Sequence, residues 1–368
     1  MSDDSSLFCD VFIALTFRKG EKIMKKILAI ALAAVMVFSL AACGGSATAP
    51  AAEAAPAAQA EEAAPAAEAA PAAEAGAKKV GLCLPDLDQY WTGFDKSCEK
   101  ALKDLGCEVE MVYAKEDIST QIGQVESYKN NGFDAVVVGI TNGESYKEIM
   151  DAAGDMKIVF FNRSIDDNSV LDGVNYIYAG MSEYDAGHAQ GEWLAKYFKD
   201  QGKTDVKGML FKGPLGLANV EGRSNGAKDA LSEAGINVDW VFEDTAEWDR
   251  VKAMDKFTQF AGEFDFVVAN NDEMALGVIE SCTSAGNPVD FPVVGIDATE
   301  PGCNAIGEGT LAMTVNQDGP GQGVAVAKAL SEMFEGKVPE ACADDFTIAT
   351  TAQPVTKDNY QEILENFK

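Results

Sequence analysis

From Lys78 to the C-terminus, short apolar runs alternate with amphipathic segments of helical period, and this alternation narrows the fold more than any other feature of the chain. Residues 80–84, 108–113, 135–140, 158–161, 208–211, 238–242, 266–269, 293–296 and 312–315 read as strands. Between them, 92–105, 183–199, 226–234, 251–261, 273–285 and 322–334 carry helical spacing. Strands that are apolar on both faces belong to parallel sheets covered by helices on either side. About 290 residues of this pattern predict an α/β protein built of two Rossmann-like, doubly wound parallel-sheet lobes.

In open sheets of this kind, ligands bind beyond the carboxyl ends of the strands. The polar residues that directly follow strands are therefore the candidates for a site. Asp86 and Asp88, with Tyr90 and Trp91, follow the first strand, and Asn162-Arg163 follows 158–161. Asn270-Asn271-Asp272 follows 266–269, Asp297 follows 293–296, and Asn316-Gln317-Asp318 follows 312–315. The set mixes carboxylates, amides and a guanidinium with aromatic faces, and it holds no nucleophile paired with a base. Hydroxyl groups donate and accept at once, so they suit planar polar side chains that do either. The C–H faces of a sugar ring suit aromatic rings. The residues describe a pocket for a small neutral polyol. A lone Asp or Asn after a strand also serves as a helix N-cap, the role expected of Asp272 and Asp318.

Acidic residues outnumber basic ones 59 to 29, a formal charge of −30, which excludes a nucleic-acid partner. A net +1 on residues 1–42 and −5 on residues 44–77 leave −26 on 78–368, so the acidity belongs to the folded body. The one histidine, His188, falls mid-helix without a catalytic arrangement around it, and neither a metal nor a cofactor is expected. Gly319-Pro320-Gly321-Gln322-Gly323 lacks dinucleotide-binding spacing and reads as a helix start. Six cysteines remain in the body without a C-x-x-C pair; Cys83 and Cys107 lie in strand patterns and are expected as buried free thiols.

The front of the chain reads as an export signal. Met24-Lys25-Lys26 and the apolar stretch 27–40 make a charged n-region and a 14-residue h-region, too short to span a bilayer comfortably. Leu40-Ala41-Ala42-Cys43 resembles a bacterial lipobox, which implies a signal peptide over 24–42 and a lipid on the Cys43 thiol. Residues 1–23 are expected to be an upstream extension, with Met24 as the start. Residues 43–77 are the lipidated cysteine and a tether of Ala, Pro and Glu, which lacks the apolar residues a core needs.

Several strings together resemble the bacterial galactose/glucose-binding proteins and their ribose-binding relatives, solute-binding proteins of sugar ABC transporters. They are Val159-Phe160-Phe161-Asn162, Asp244-Thr245-Ala246-Glu247-Trp248-Asp249, Ala269-Asn270-Asn271-Asp272-Glu273-Met274-Ala275-Leu276-Gly277 and Gly295-Ile296-Asp297-Ala298. The resemblance runs from about Lys78 to the C-terminus. It implies two lobes, 78–180 with 317–349 and 181–316 with 350–368, joined by three crossovers near Gly180, Gln317 and Thr350 and closing on a sugar. It further implies that Asp88, Asn162, Arg223, Asn271, Asp297 and Gln317 pair with hydroxyls while Tyr90 and Trp248 stack on the ring. Arg163 stands where that family has lysine and joins the site. Leu217 and Asn219 stand where the galactose/glucose protein has histidine and aspartate, which changes the hydroxyls that can be matched. The segment 201–208 has one carboxylate and two lysines where that family has a calcium loop, so no structural calcium is expected.

The implied function is a lipid-anchored, exported, monomeric binding protein that captures a monosaccharide, galactose or glucose first, and delivers it to ABC permease subunits. Other classes stay open on the residues alone. Another sugar or polyol would suit the same side chains, and a chemoreceptor-coupled sensor would use the same fold. A sugar-active enzyme would need two suitably spaced carboxylates at a substrate bond, a role in principle open to Asp88 and Asp297. A sugar-responsive regulator would need a DNA-binding head where this chain has an export signal.

Overall fold

The computed structural model describes residues 76–367. The upstream extension, the signal segment, Cys43 and the tether up to residue 75 lie outside the described residues.

The first sheet is six-stranded and wholly parallel. Its order is β11 (Thr347–Thr350), β5 (Tyr176–Met181), β4 (Lys157–Phe161), β3 (Ala135–Val138), β1 (Lys79–Leu84) and β2 (Glu108–Tyr113). Helices α1 (Gln89–Asp104), α2 (Ile118–Asn130) and α3 (Tyr146–Ala153) connect its early strands, and α9 (Gly319–Phe334) packs against α1. Strands β3 and β4 are almost wholly buried, Val136, Val137, Val138, Phe160 and Phe161 having no exposure, as continuous apolar strands covered on both faces require.

The second sheet is parallel with the order β7 (Asn237–Thr245), β6 (Asp205–Lys212), β8 (Phe266–Ala269) and β9 (Val293–Val294). Single bridges from Val294 to Met313 and from Asp297 to Asn316 add β10 (Thr314–Asn316) beside β9, and β12 (Gln353–Val355) pairs antiparallel with β10. Helices α4 (Glu183–Asp200), α5 (Ala218–Glu233), α6 (Arg250–Gln259), α7 (Asp272–Ser284), α8 (Glu300–Glu308) and α10 (Tyr360–Leu364) cover it. The fold is that of two doubly wound α/β lobes. The chain passes between the sheets after β5, after β10 and after β11.

The nine expected strands are present, with β3, β9 and β10 shorter than read. Strands β5, β11 and β12 were not read from the pattern. β11, Thr-Ile-Ala-Thr, buries only Ile348 and makes no apolar run, and β12 has three residues and carries Pro354, tolerated because it lies at an edge. Gly319-Pro320 opens α9 with Asp318 as its N-cap, in line with the reading of a helix start. All six body cysteines are free, and Cys83 is buried while Cys107 is half-buried. Burial pushes the Cys83 thiol up to about 12, which makes it inert.

Candidate functional site

Each candidate side chain is presented at the carboxyl end of a strand. Asp88 caps α1 just past β1, its Oδ1 accepting from Trp91 N at 2.8 Å, and Tyr90 and Trp91 occupy the helix's first turn. Asn162 and Arg163 follow β4 directly. Asn219 and Arg223 stand on the first two turns of α5, after β6. Trp248 lies in the loop from β7 to α6, Asn271 caps α7 past β8, Asp297 follows β9, and Gln317 follows β10. These ten residues line a single narrow cavity, and Trp91 lines it with them.

The backbone is strained where it delivers three of these side chains. Trp248 has φ of 62° in the left-handed region that a bulky residue seldom adopts, Asn162 has the same value, and Asp297 at 123° lies outside even the region that Asn and Asp tolerate. Trp248 shares its turn with Glu247 at 55°. Strain of this kind persists only where surrounding structure enforces it, and it gathers at functional sites.

Charges at the cavity are matched with care. Arg163 makes a bidentate pair with Glu116, at 2.7 and 2.6 Å. Arg223 donates from Nε to Glu183 at 2.6 Å and from Nη1 to the Asn270 main-chain oxygen at 2.7 Å, with Asp297 Oδ1 3.7 Å away. Its guanidinium lies 5.5 Å from the centroid of the Trp248 ring, a cation–π contact that holds the indole over the cavity. Each arginine thus has its own glutamate. Asp88 and Asp297 remain as carboxylates facing the cavity, and the Asp297 side chain is only 6 % exposed. Burial pushes Asp88 up to about 6 although the Trp91 N–H and Arg163 oppose it. Burial likewise raises Asp297 above its ordinary value, while Arg223 and the Gln317 amide pull it back toward the ionised form.

Asp272 departs from its expected role. It does not cap α7; the neighbouring Asn271 does, accepting from Met274 N at 3.0 Å. Asp272 is fully buried and ties α7 to β10 and α8, accepting from Thr314 Oγ1 at 2.6 Å and from Thr299 N and Oγ1 at 2.9 and 3.1 Å. Burial pushes it up to about 7 despite these bonds. A carboxyl whose folded value lies above its unfolded one supports the fold at low pH and loses that support as pH rises from about 4 through 7. Melting temperature should therefore fall between pH 5 and pH 8, and Asp272→Asn should flatten that slope. A slope identical in the variant would remove Asp272 as its cause.

The sequence matches the family described as periplasmic binding protein domain over residues 80–338. The chain belongs to the periplasmic binding protein family. The D-galactose/methyl-galactoside binding periplasmic protein of Haemophilus influenzae is 27% identical over 264 residues, 68% of this chain and 79% of that one. A xylitol-binding protein of Mycolicibacterium smegmatis is 27% identical over 354 residues, covering 94% of this chain and 89% of its own. Among solved structures, an ABC transporter solute binding protein of Bacillus halodurans with bound myo-inositol superposes with a TM-score of 0.71 at 27% identity, over 80% of this chain and 100% of the other.

In this periplasmic binding protein two glutamates and an asparagine support the cavity from outside its lining. Glu183 follows β5, a strand that was not recognised, so the rule that found the other acids could not reach it. Glu116 follows β2 by three residues with φ of 57°, and the same rule applied there would have singled it out. Asn270 was grouped with the cavity residues but supports from behind. It is fully buried, and its Oδ1 accepts from Gly213 N and Ser224 Oγ, both at 3.3 Å. His188 pairs with Glu233 at 3.2 Å on the outer face of α4, away from the cavity.

Proposed function

We propose that this protein is the capture component of an ABC importer for a neutral, monosaccharide-sized polyol, with D-galactose and D-glucose the first candidates. The observation that carries the reading is the convergence of acids, amides, paired arginines and aromatic rings from both lobes on one cavity. Asp88 and Asp297 accept from ligand hydroxyls, Asn219 and Asn271 donate to ligand oxygens, and Tyr90 and Trp248 flank the ring. The neutralised arginines speak against an anionic ligand. Both lobes contact the ligand only when the cleft is shut, so binding shifts the population toward the closed form. That form docks on the permease subunits. Residues 43–77 tether the monomeric body to the outer side of the cell membrane through a lipid on Cys43, and no cofactor or metal takes part.

A thermal-shift panel of D-galactose, D-glucose, D-ribose, xylitol and myo-inositol on the purified protein tests this. One or more should raise the melting temperature, since a ligand at about 100 times its Kd adds about 2.7 kcal/mol to apparent stability. A panel without any shift would overturn the polyol reading, and a ranking led by xylitol or myo-inositol would replace the hexose.

A further inference from the structure

Gln322, in the first turn of α9, is 2 % exposed and does not itself line the cavity. Its amide Nε2 donates to the main-chain oxygen of Gln317 at 2.6 Å and to Thr350 Oγ1 at 2.7 Å. Those two partners stand at the second and third passages between the sheets. With both N–H groups committed, Gln322 Oε1 can only accept, and it accepts from the Tyr90 hydroxyl at 3.1 Å. Tyr90 has one hydroxyl proton, so its oxygen in turn accepts, from Asn162 Nδ2 at 3.0 Å. Asn162 Nδ2 also donates to Gln317 Oε1 at 3.0 Å, and Gln317 Nε2 then donates to Asp297 Oδ1 at 2.5 Å. Every bond in this chain has its direction set by the one before it. The direction begins at Gln322, because a main-chain carbonyl can only accept.

We propose that Gln322 is a positioning residue for ligand capture: it sets the donor direction of a relay that leaves Asn162 Oδ1 and Asp297 Oδ2 as acceptors toward the cavity, and it joins two interlobe passages to Tyr90. The cavity consequently demands hydroxyl donors at two places. Reversing or deleting the first member frees Tyr90 to rotate its proton and Asn162 to turn its amide, and the demand is lost. Cooperative polar chains of this sort are sensitive at their ends because each member orients the next. The specificity part of this proposal rests on the polyol reading above.

Two variants test it. Gln322→Met keeps the volume and removes all three bonds; Gln322→Leu removes the same three bonds with a more compact side chain, and serves if the methionine variant does not fold. Affinities are measured calorimetrically for D-galactose, D-glucose and myo-inositol, and for single-deoxy analogues of those that bind the wild type. Affinity for the parent ligand should drop tenfold or more. Affinity for the analogue lacking a donated hydroxyl should change by less than threefold, so that discrimination collapses. Equal losses for parent and analogues would mark a merely structural residue and overturn the proposal, as would unaltered affinities. Hydrogen exchange on the protein without added sugar supplies a second arm. Exchange at amides of 316–322 and 347–353 should quicken in both variants, and unchanged protection in both segments would overturn the joining of the passages. If the wild type binds none of the probes, the polyol reading fails, and the exchange arm alone decides the relay.

Discussion

Asp297→Ala should weaken binding of the sugar that the panel identifies by at least ~30-fold, with little loss of stability in the ligand-free protein. The side chain is 94 % buried in effect, being 6 % exposed, and its Oδ1 already accepts from Gln317, so Oδ2 is the atom left for a ligand hydroxyl. Truncating one partner of a buried, hydrogen-bonded charged contact costs about 2–5 kcal/mol, much of it from the group left unpaired. Here that group is Arg223, which keeps Glu183 but loses the carboxylate 3.7 Å from its Nη1. The backbone offers an internal control. Asp297 has φ of 123°, a conformation costly for alanine and free for glycine. Asp297→Gly should therefore bind as poorly as Asp297→Ala yet melt higher, because strain maintained for the site has been released. Calorimetry and a melting curve on the two variants decide it. Wild-type affinity in either would remove Asp297 from the site.

Much of this site was legible because one rule about parallel sheets does most of the placing. Asp88, Asn162, Asn271, Asp297 and Gln317 all come directly after apolar strands, and a strand's end is among the easiest things to read from a chain. Asn219, Arg223 and Trp248 were not reachable that way. The first two lie on the first two turns of α5, seven and eleven residues past the end of β6, and the third lies in a loop, so only the family resemblance singled them out. The supporting layer was illegible for a different reason. Tyr90 and Gln322 are 232 residues apart in the chain, and Arg223 and Glu183 are 40 apart, with nothing local to announce either pair. Gln322 even lay inside a motif that had been given a sufficient local explanation, as the start of α9. Asp272 shows the converse error. A residue in cap position was assigned the local role, and the long-range bonds to Thr299 and Thr314 won because full burial leaves a carboxylate no other partners.

The second large effect concerns glycines that carry no chemistry. Helices α4 and α5 cross so closely that a Cβ on Gly187 would lie 1.9 Å from the Arg223 main-chain oxygen. One on Gly226 would lie 2.1 Å from the Tyr184 oxygen, and one on Gly191 would lie 2.4 Å from that of Ala227. These obstacles are backbone, which cannot swing aside as a side chain can, so the helices themselves must part. Two terms compete in Gly187→Ala or Gly226→Ala. Alanine gains about 1 kcal/mol of helix propensity over glycine. Overpacking typically costs 1–3 kcal/mol and more where nothing yields. At contacts this short the second term wins, and each variant should lose about 3 kcal/mol, a fall in melting temperature of roughly 6–12 °C for a body of this size. Gly123→Ala in α2, where an added Cβ meets nothing within 4 Å, should by contrast be neutral or slightly stabilising. The crossing also bears on capture, because α5 carries Asn219 and Arg223 into the cavity. Parting the helices draws both away from the ligand, so Gly187→Ala should lose affinity as well as stability, whereas Gly123→Ala should keep both. If Gly187→Ala melts as the wild type does, the close crossing is not what holds Arg223 in place.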